Sequence, residues 1–424
     1  MGFANLVNRQ IVKGLIFFSL EVLYIIFMVK KGTGLIGGLY TLGTRKQGWV
    51  TKPGSLLPVL QQGDNSMLFL LYGIATLVIT GVFVLLYFVN LSSARKALSY
   101  RLKGKRQNSF IKDVKELADE KFHVSMMTLP VLGVLFITVL PIIFMILIAF
   151  TNYDREHQVP GNLFRWVGLT NFKNLLGGNS ILSGTFSHVL GWTLVWAAIA
   201  TFSCYFLGII VALMINKKGI RFKVVWRSIL VTTIAIPQFI SLLIMQNMFN
   251  YYGPINELFV SMGFGRVDFL TNNAMNARIV VLVVNLWIGI PYTMLITSGI
   301  LMNVPAELYE SAKIDGASAV QIFFKITLPY VLFVTAPYLI TQFIGNLNNF
   351  NVIFLLTGGA PTTTEYYQAG KTDLLVTWLY KLTVNNYDYC LASTIGIFSF
   401  VVCAVISLLT YHRTSSYKKE EEFQ

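Results

Sequence analysis

Eight runs of predominantly apolar residues set the hydropathy pattern, at 14–29, 67–90, 126–150, 188–215, 226–248, 278–301, 328–350 and 389–411. A helix needs ~20 such residues to cross a bilayer, and all but the first run reach that length. The pattern predicts an all-α, polytopic membrane protein with about eight transmembrane helices. The first run needs its flanks to snorkel. Arg9 and Lys13 before it resemble the start of a signal peptide, but Lys30-Lys31 follow where a small-residue cleavage site would stand. It therefore reads as an uncleaved first span.

Composition agrees with the pattern. Of 424 residues, 55% are hydrophobic and 12% charged, with a mean hydropathy of +0.63. A soluble domain carries about 25% charged residues. The net charge of +14 fits basic loops retained in the cytoplasm. Nucleic-acid binding is not expected, because no aromatic-basic module accompanies the charge. An even number of spans puts both termini on one side. The stretch Arg95–Lys121 and the cluster Lys217, Lys218, Arg221, Lys223 and Arg227 assign that side to the cytoplasm. Residues 30–66 fit this topology poorly, since Lys30, Lys31, Arg45, Lys46 and Lys52 then lie outside. With Gly37-Gly38 and Trp49, this segment reads as interfacial or partly re-entrant.

Three regions follow from the spacing. Residues 1–125 form an N-terminal region with two spans and a basic cytoplasmic stretch. Residues 126–411 hold six spans, with a cytoplasmic loop at 302–328. Residues 412–424 form a tail whose charged end, Ser415 to Gln424, reads as disordered. Cys204, Cys390 and Cys403, and the four histidines, are scattered, so neither a disulfide framework nor a metal site is expected. No nucleophile–base constellation suggests an enzyme. Gly370-Lys371-Thr372 fails as a Walker A, because Glu365 stands where its first glycine is required. Any ATP-driven work must draw on another polypeptide.

The loop between the sixth and seventh spans is patterned as two short helices. Pro305 and Glu307 suit a first turn. Leu308 and Ala312 begin an apolar stripe, Gly316 supplies a turn, and Ser318 caps a second helix expected to run to Pro329. On spacing alone this is equally an amphipathic connector lying on the membrane surface. The flanking spans carry unusual chemistry. Asn285, Gly289 and Tyr292 share one helical face near Pro291, and Gln342, Asn346, Asn348 and Asn349 crowd the end of the seventh span. Amides pair with sugar hydroxyls, and aromatic faces cover the apolar faces of sugar rings. Amides also serve as hydrogen-bonding glue between spans, and the residue types do not separate the two uses.

Glu310-Ser311-Ala312, Asp315-Gly316-Ala317 and the following Ile326-Thr327-Leu328-Pro329 resemble the EAA motif of ABC-importer permeases. The resemblance implies a coupling helix that docks in a cleft of an ATPase subunit. Glu310, Ser311, Ala312, Asp315 and Gly316 would form the dock, with Ser311 replacing the usual alanine. The stretches from Asn285 to Tyr292, Phe324 to Pro329 and Asn346 to Phe350, with Gly370 to Leu375, are similar to MalF-type permeases of maltose/maltodextrin importers. That resemblance covers roughly residues 126–411 and implies a type I ABC importer permease fold in a bacterial cell membrane. It assigns sugar contacts to Asn285, Ile288, Gly289, Tyr292, Gln342, Gly345, Asn346 and Asn349. Gln342 and Gly345 depart from the serine and phenylalanine of the best-known members. The loop at 151–187 departs too, being short where enterobacterial relatives carry a large extracytoplasmic domain.

The implied partners are a second permease subunit (MalG-type), an ATPase dimer (MalK-type) that uses ATP and Mg, an extracellular sugar-binding protein and the lipid bilayer. This chain is expected to bind no cofactor itself. Another oligosaccharide or glycerol phosphate is the alternative cargo, although spans six and seven have no basic residue in their interiors. An ion-coupled secondary transporter would favour acidic groups at mid-span. The clear instance is Glu21, in the first span.

Overall fold

The computed structural model describes residues 1–51, 57–104, 109–178, 180–217 and 219–412. The tail Ser415–Gln424, Lys52, Lys218 and residues 105–108 of the basic stretch lie outside the described residues. The chain forms two compact units, one of Met1–Asn171 with Asp388–Ser393, the other of Phe172–Tyr387 with the chain from Thr394. This grouping follows packing, whereas the division expected at 125/126 follows the spacing of apolar runs.

The first unit is built on α1 (Ile11–Thr41), α2 (Ser66–Leu102), the amphipathic α3 (Phe110–Ala118) and α4 (Phe122–Ile148). Between α1 and α2 lies a small antiparallel hairpin, β1 (Gly48–Val50) and β2 (Val59–Gln61), with Trp49 opposite Leu60. Lys30-Lys31 do not end the first span, as the sequence suggested. The backbone passes through a wider π turn at Met28–Gly32, and both lysine side chains stay exposed. Their ammonium groups are not buried, so helix continues to Thr41. The Asn65 side chain caps α2 by accepting from the Leu68 N–H. The Thr44 and Arg45 backbone N–H groups donate to the Asp64 carboxylate and hold its pKa below the usual value. Leu70, Ile74, Ile148, Tyr153 and Phe164 make the core, with Tyr153 stacked on Phe164 and Tyr389 at 4.6 and 4.5 Å between ring centres. Glu21 pairs with the Met1 amino group.

The second unit holds α5 (Ile181–Asn216), α6 (Lys223–Ala235), α7 (Gln238–Met248), α8 (Ala274–Leu301), α9 (Ala306–Ile314), α10 (Leu328–Leu347), α11 (Phe350–Leu356) and most of α12 (Tyr389–Tyr411). Helix α5 begins seven residues before the expected span because Ser180 and Ser183 form a reciprocal cap there. Its fully buried Trp196, with Val281, Val284, Val352 and Ile353, forms the largest apolar cluster. The α5–α8 seam is close: a Cβ on Gly289 would lie 2.5 Å from the Cys204 Sγ, so any side chain at 289 forces Cys204 or the helices to shift. Arg278 covers the Trp192 ring at 4.2 Å and donates twice to the Lys371 carbonyl. Asp373, with a fully buried side chain, pairs with Lys381 at 2.6 Å and accepts from Thr377 and the Gly370 N–H. The Gly370-Lys371-Thr372 string thus sits in a cross-linked loop.

Among the described residues, seven helices are long and apolar enough to cross a membrane, and α6 with α7 adds an eighth if the pair counts as one span. That pair is not the straight helix expected at 226–248. It bends by 91° at Ile236-Pro237. Proline disfavours helical backbone in the residue before it, and Ile236 takes an extended conformation, with ψ of 128°. Helix α4, with the highest hydropathy of the seven, has only 6% of its apolar window buried within the chain. Such a surface requires lipid or another apolar partner.

Candidate functional site

The elbow between α6 and α7 opens one wall of a cavity of about 370 Å³ within the second unit. This lies within the ~300–1,000 Å³ of small-molecule sites. Thr201, Cys204 and Tyr205 face it from α5, spaced to share a helical face. Thr233 to Gln238 and Ser241 line it from the elbow. Helix α8 contributes Asn285, Ile288, Gly289, Tyr292 and Thr293, and α10 contributes Tyr338, Leu339, Gln342 and Asn346, with Asn349 just beyond. No Asp, Glu, Lys, Arg or His is among these lining residues.

Seven of the eight sugar-contact positions expected from the sequence therefore meet in one cavity. Gly345 is the exception. It is exposed, does not line the cavity and has no neighbour within 4 Å of where a Cβ would stand. Without a side chain it projects nothing toward the wall. The elbow residues, the three from α5 and Tyr338 were missed. Pro237 inside an apolar run was the one local signal for the elbow.

The amides divide into two groups. Asn285 is 6% exposed and its Nδ2 points at the Cys204 Sγ, 3.5 Å away. Asn346 donates to Thr201 Oγ1 at 2.9 Å, and its backbone carbonyl accepts from the Trp196 indole at 3.1 Å. Asn349 donates to the Asn346 side chain and caps α11 by accepting from the Val352 N–H. These three are engaged in holding helices together. Among the described residues, by contrast, nothing hydrogen-bonds the Gln342 amide or the Tyr292 hydroxyl. Tyr292 is 47% exposed, and its ring lies 6.0 Å from that of Tyr338 at 37°. The cavity thus presents free donors, free acceptors and aromatic faces without charge, which is the chemistry for a neutral polyhydroxylated ligand.

The loop between α8 and α10 gathers Glu310, Ser311, Ala312, Asp315 and Gly316 at the end of α9. The Gly316 N–H donates to the Lys313 carbonyl and the Ala317 N–H to that of Ala312, at 3.1 and 2.9 Å. With Gly316 at φ +75°, this is a Schellman termination, and glycine takes its left-handed position without strain. Ser318 and Gln321 form a reciprocal cap on the next turn, Ala319–Ile322. That turn does not stop at Pro329, as the spacing suggested. It continues through a π turn at Phe323–Thr327 into α10, and Pro329, which has no N–H to donate, stands directly after the wider turn. The Tyr309 and Thr327 hydroxyls lie 3.3 Å apart, joining α9 to the π turn. Ile314, Val320 and Phe324 are 86%, 64% and 60% exposed, leaving apolar surface on this segment.

The sequence profile described as Binding-protein-dependent transport system inner membrane component matches residues 204–416. The chain is 34% identical over 430 residues to the Maltodextrin transport system permease protein MdxF of Bacillus subtilis (strain 168), covering 99% of this chain and 95% of the relative. It is also 34% identical over 422 residues to the Galactooligosaccharides transport system permease protein GanP of the same organism, covering 99% and 96%. Among solved structures, a bacterial ABC transporter involved in the import of the acidic polysaccharide alginate has a chain that aligns with 70% of this one and 96% of its own length. The TM-score is 0.58 and the identity 25%.

Proposed function

The chain belongs to the binding-protein-dependent transport system inner membrane component family, and on that premise we propose that its uncharged cavity is the membrane path for maltodextrins. It is a permease subunit of a binding-protein-dependent importer. The observation that carries the cargo reading is the cavity wall, in which Tyr292 and Gln342 present uncommitted polar groups beside two aromatic rings. Neutral sugars match such a wall. A glycerol phosphate or an acidic polysaccharide would leave its charge without a cationic partner there, at a cost that burial makes large.

In this reading the chain supplies half of a channel, a second permease subunit supplies the other half, and an extracellular sugar-binding protein delivers the cargo. ATP is hydrolysed on a separate ATPase dimer on the cytoplasmic side, where both termini and the α9 segment lie. The exposed Ile314, Val320 and Phe324 then enter the ATPase cleft, and Gly316 fixes the angle between the two helical pieces. Because Ala319–Ile322 runs on into α10, movement of the docked segment carries Gln342 and Asn346 with it. A second reading, galactooligosaccharides as cargo, is favoured by the equal similarity to GanP.

The test is uptake of labelled maltotriose and galactotriose by the chain expressed with its partner subunits and binding protein. Maltotriose uptake that falls at least about tenfold in Tyr292→Ala and Gln342→Ala, with membrane levels unchanged, supports the path. Uptake indifferent to both substitutions sinks it. Preference for galactotriose transfers the reading to the second cargo.

A further inference from the structure

The aromatic surface of the cavity stands in an unexpected place. Residues 338 and 345 of α10 are seven apart, about two turns, and so lie on nearly the same stripe, ~10 Å from each other along the axis. Position 345 is a glycine that does not line the cavity, whereas Tyr338 lines it and meets Tyr292 of α8 at 6.0 Å between ring centres. The Tyr338 hydroxyl sits 3.5 Å from Thr293 Oγ1, which anchors the far edge of its ring to α8. The two rings are inclined by 37°, so they form a shallow aromatic corner and not a closed stack.

We propose that Tyr338 is a specificity-determining residue, providing with Tyr292 the stacking platform for a pyranose ring at the α9-facing end of the cavity. The inference deepens the sugar-path reading and rests on it. A pyranose ring has an apolar C–H face, and the negative face of an aromatic ring attracts it while displacing poorly held water. Gln342 lies one turn further along the same helix, and Thr201 and Asn346 close the wall beyond it. A ring stacked on the corner therefore directs its hydroxyls toward the free Gln342 amide. Selectivity for neutral pyranosides follows, because neither the platform nor its polar rim compensates a charge.

The experiment is maltotriose uptake by the complete importer in proteoliposomes, with the chain carrying Tyr338→Phe, Tyr338→Leu or pentafluorophenylalanine at 338. Binding-protein-stimulated ATP hydrolysis is measured alongside. Phe keeps the π face and is expected to transport within about twofold of the parent. Leu keeps apolar bulk without a π face and is expected to lose roughly three- to tenfold, mainly as a raised KM, while ATP hydrolysis persists. If the Leu chain accumulates poorly, the fluorinated ring decides. It preserves shape but reverses the charge of the face, and transport must fall below that of Phe. Equal transport by Phe, Leu and the fluorinated chain overturns the platform. If that equality accompanies a loss in Tyr292→Ala, the path stands and only the role of Tyr338 fails. If the parent transports neither maltotriose nor galactotriose, the sugar-path reading itself fails.

Discussion

At the scale of single residues, chemistry that looks uniform in sequence separates by what each side chain already holds. Asn285, Asn346 and Asn349 are all amides on the cavity wall, yet each is engaged with α5 or with a helix start. Replacing Asn346 with alanine leaves the Thr201 hydroxyl and the Asn349 amide without their partner, at a cost of about 1–3 kcal/mol. A lower Tm of the purified protein in detergent is the expected reading. Gln342→Ala, which breaks no internal bond, should leave Tm unchanged while impairing uptake. Gly289→Ala is the complementary case. Its Cβ would approach the Cys204 Sγ to 2.5 Å, an overpacking of ~1–3 kcal/mol. Adding Cys204→Ala to the same chain should recover most of the lost Tm, and no recovery would refute the steric cause. The residue types of the site were legible in the sequence. Their division was not, because the partners Thr201 and Cys204 sit on α5, far away along the chain.

Elements were legible where hydropathy alone defines them and obscure where backbone direction matters. The long helices α2, α4, α5, α8 and α12 appear as apolar runs, give or take their ends. The bend at Ile236-Pro237 does not, since hydropathy is the same on both sides of an elbow. Only Pro237 marked it. Relieving that constraint with Pro237→Leu lets α6 and α7 approach one continuous helix, which withdraws the elbow from the cavity. Uptake should fall with membrane insertion intact, and parent-like uptake would show that the bend is dispensable. The end of α1 was hidden for another reason, in that two exposed lysines read as a stop although their long stems permit helix. The α9 termination was read correctly from Gly316, whose φ of +75° costs any other L-residue about 1–2 kcal/mol. Gly316→Pro goes further by removing the N–H that meets the Lys313 carbonyl. It should abolish uptake and loosen capture of the ATPase subunit, with unchanged amounts of the chain in the membrane. Retained capture would count against docking through this segment.

Across the whole molecule, the second unit joins the two ends of the proposed mechanism in one stretch of chain. From Ser318 to Leu347 the backbone runs from the α9 segment through a π turn to Tyr338, Gln342 and Asn346. In the proposed mechanism a push on the α9 segment would displace the cavity wall, the kind of rigid-body switch that gives alternating access. The central claim is that this wall handles a neutral sugar. The most direct measurement is maltotriose uptake by the complete importer in proteoliposomes with Tyr292→Ala and Gln342→Ala combined, scored with Tm and ATPase capture. Uptake reduced by at least about tenfold, with Tm and capture unchanged, is the expected result. Parent-level uptake by the double variant would contradict it.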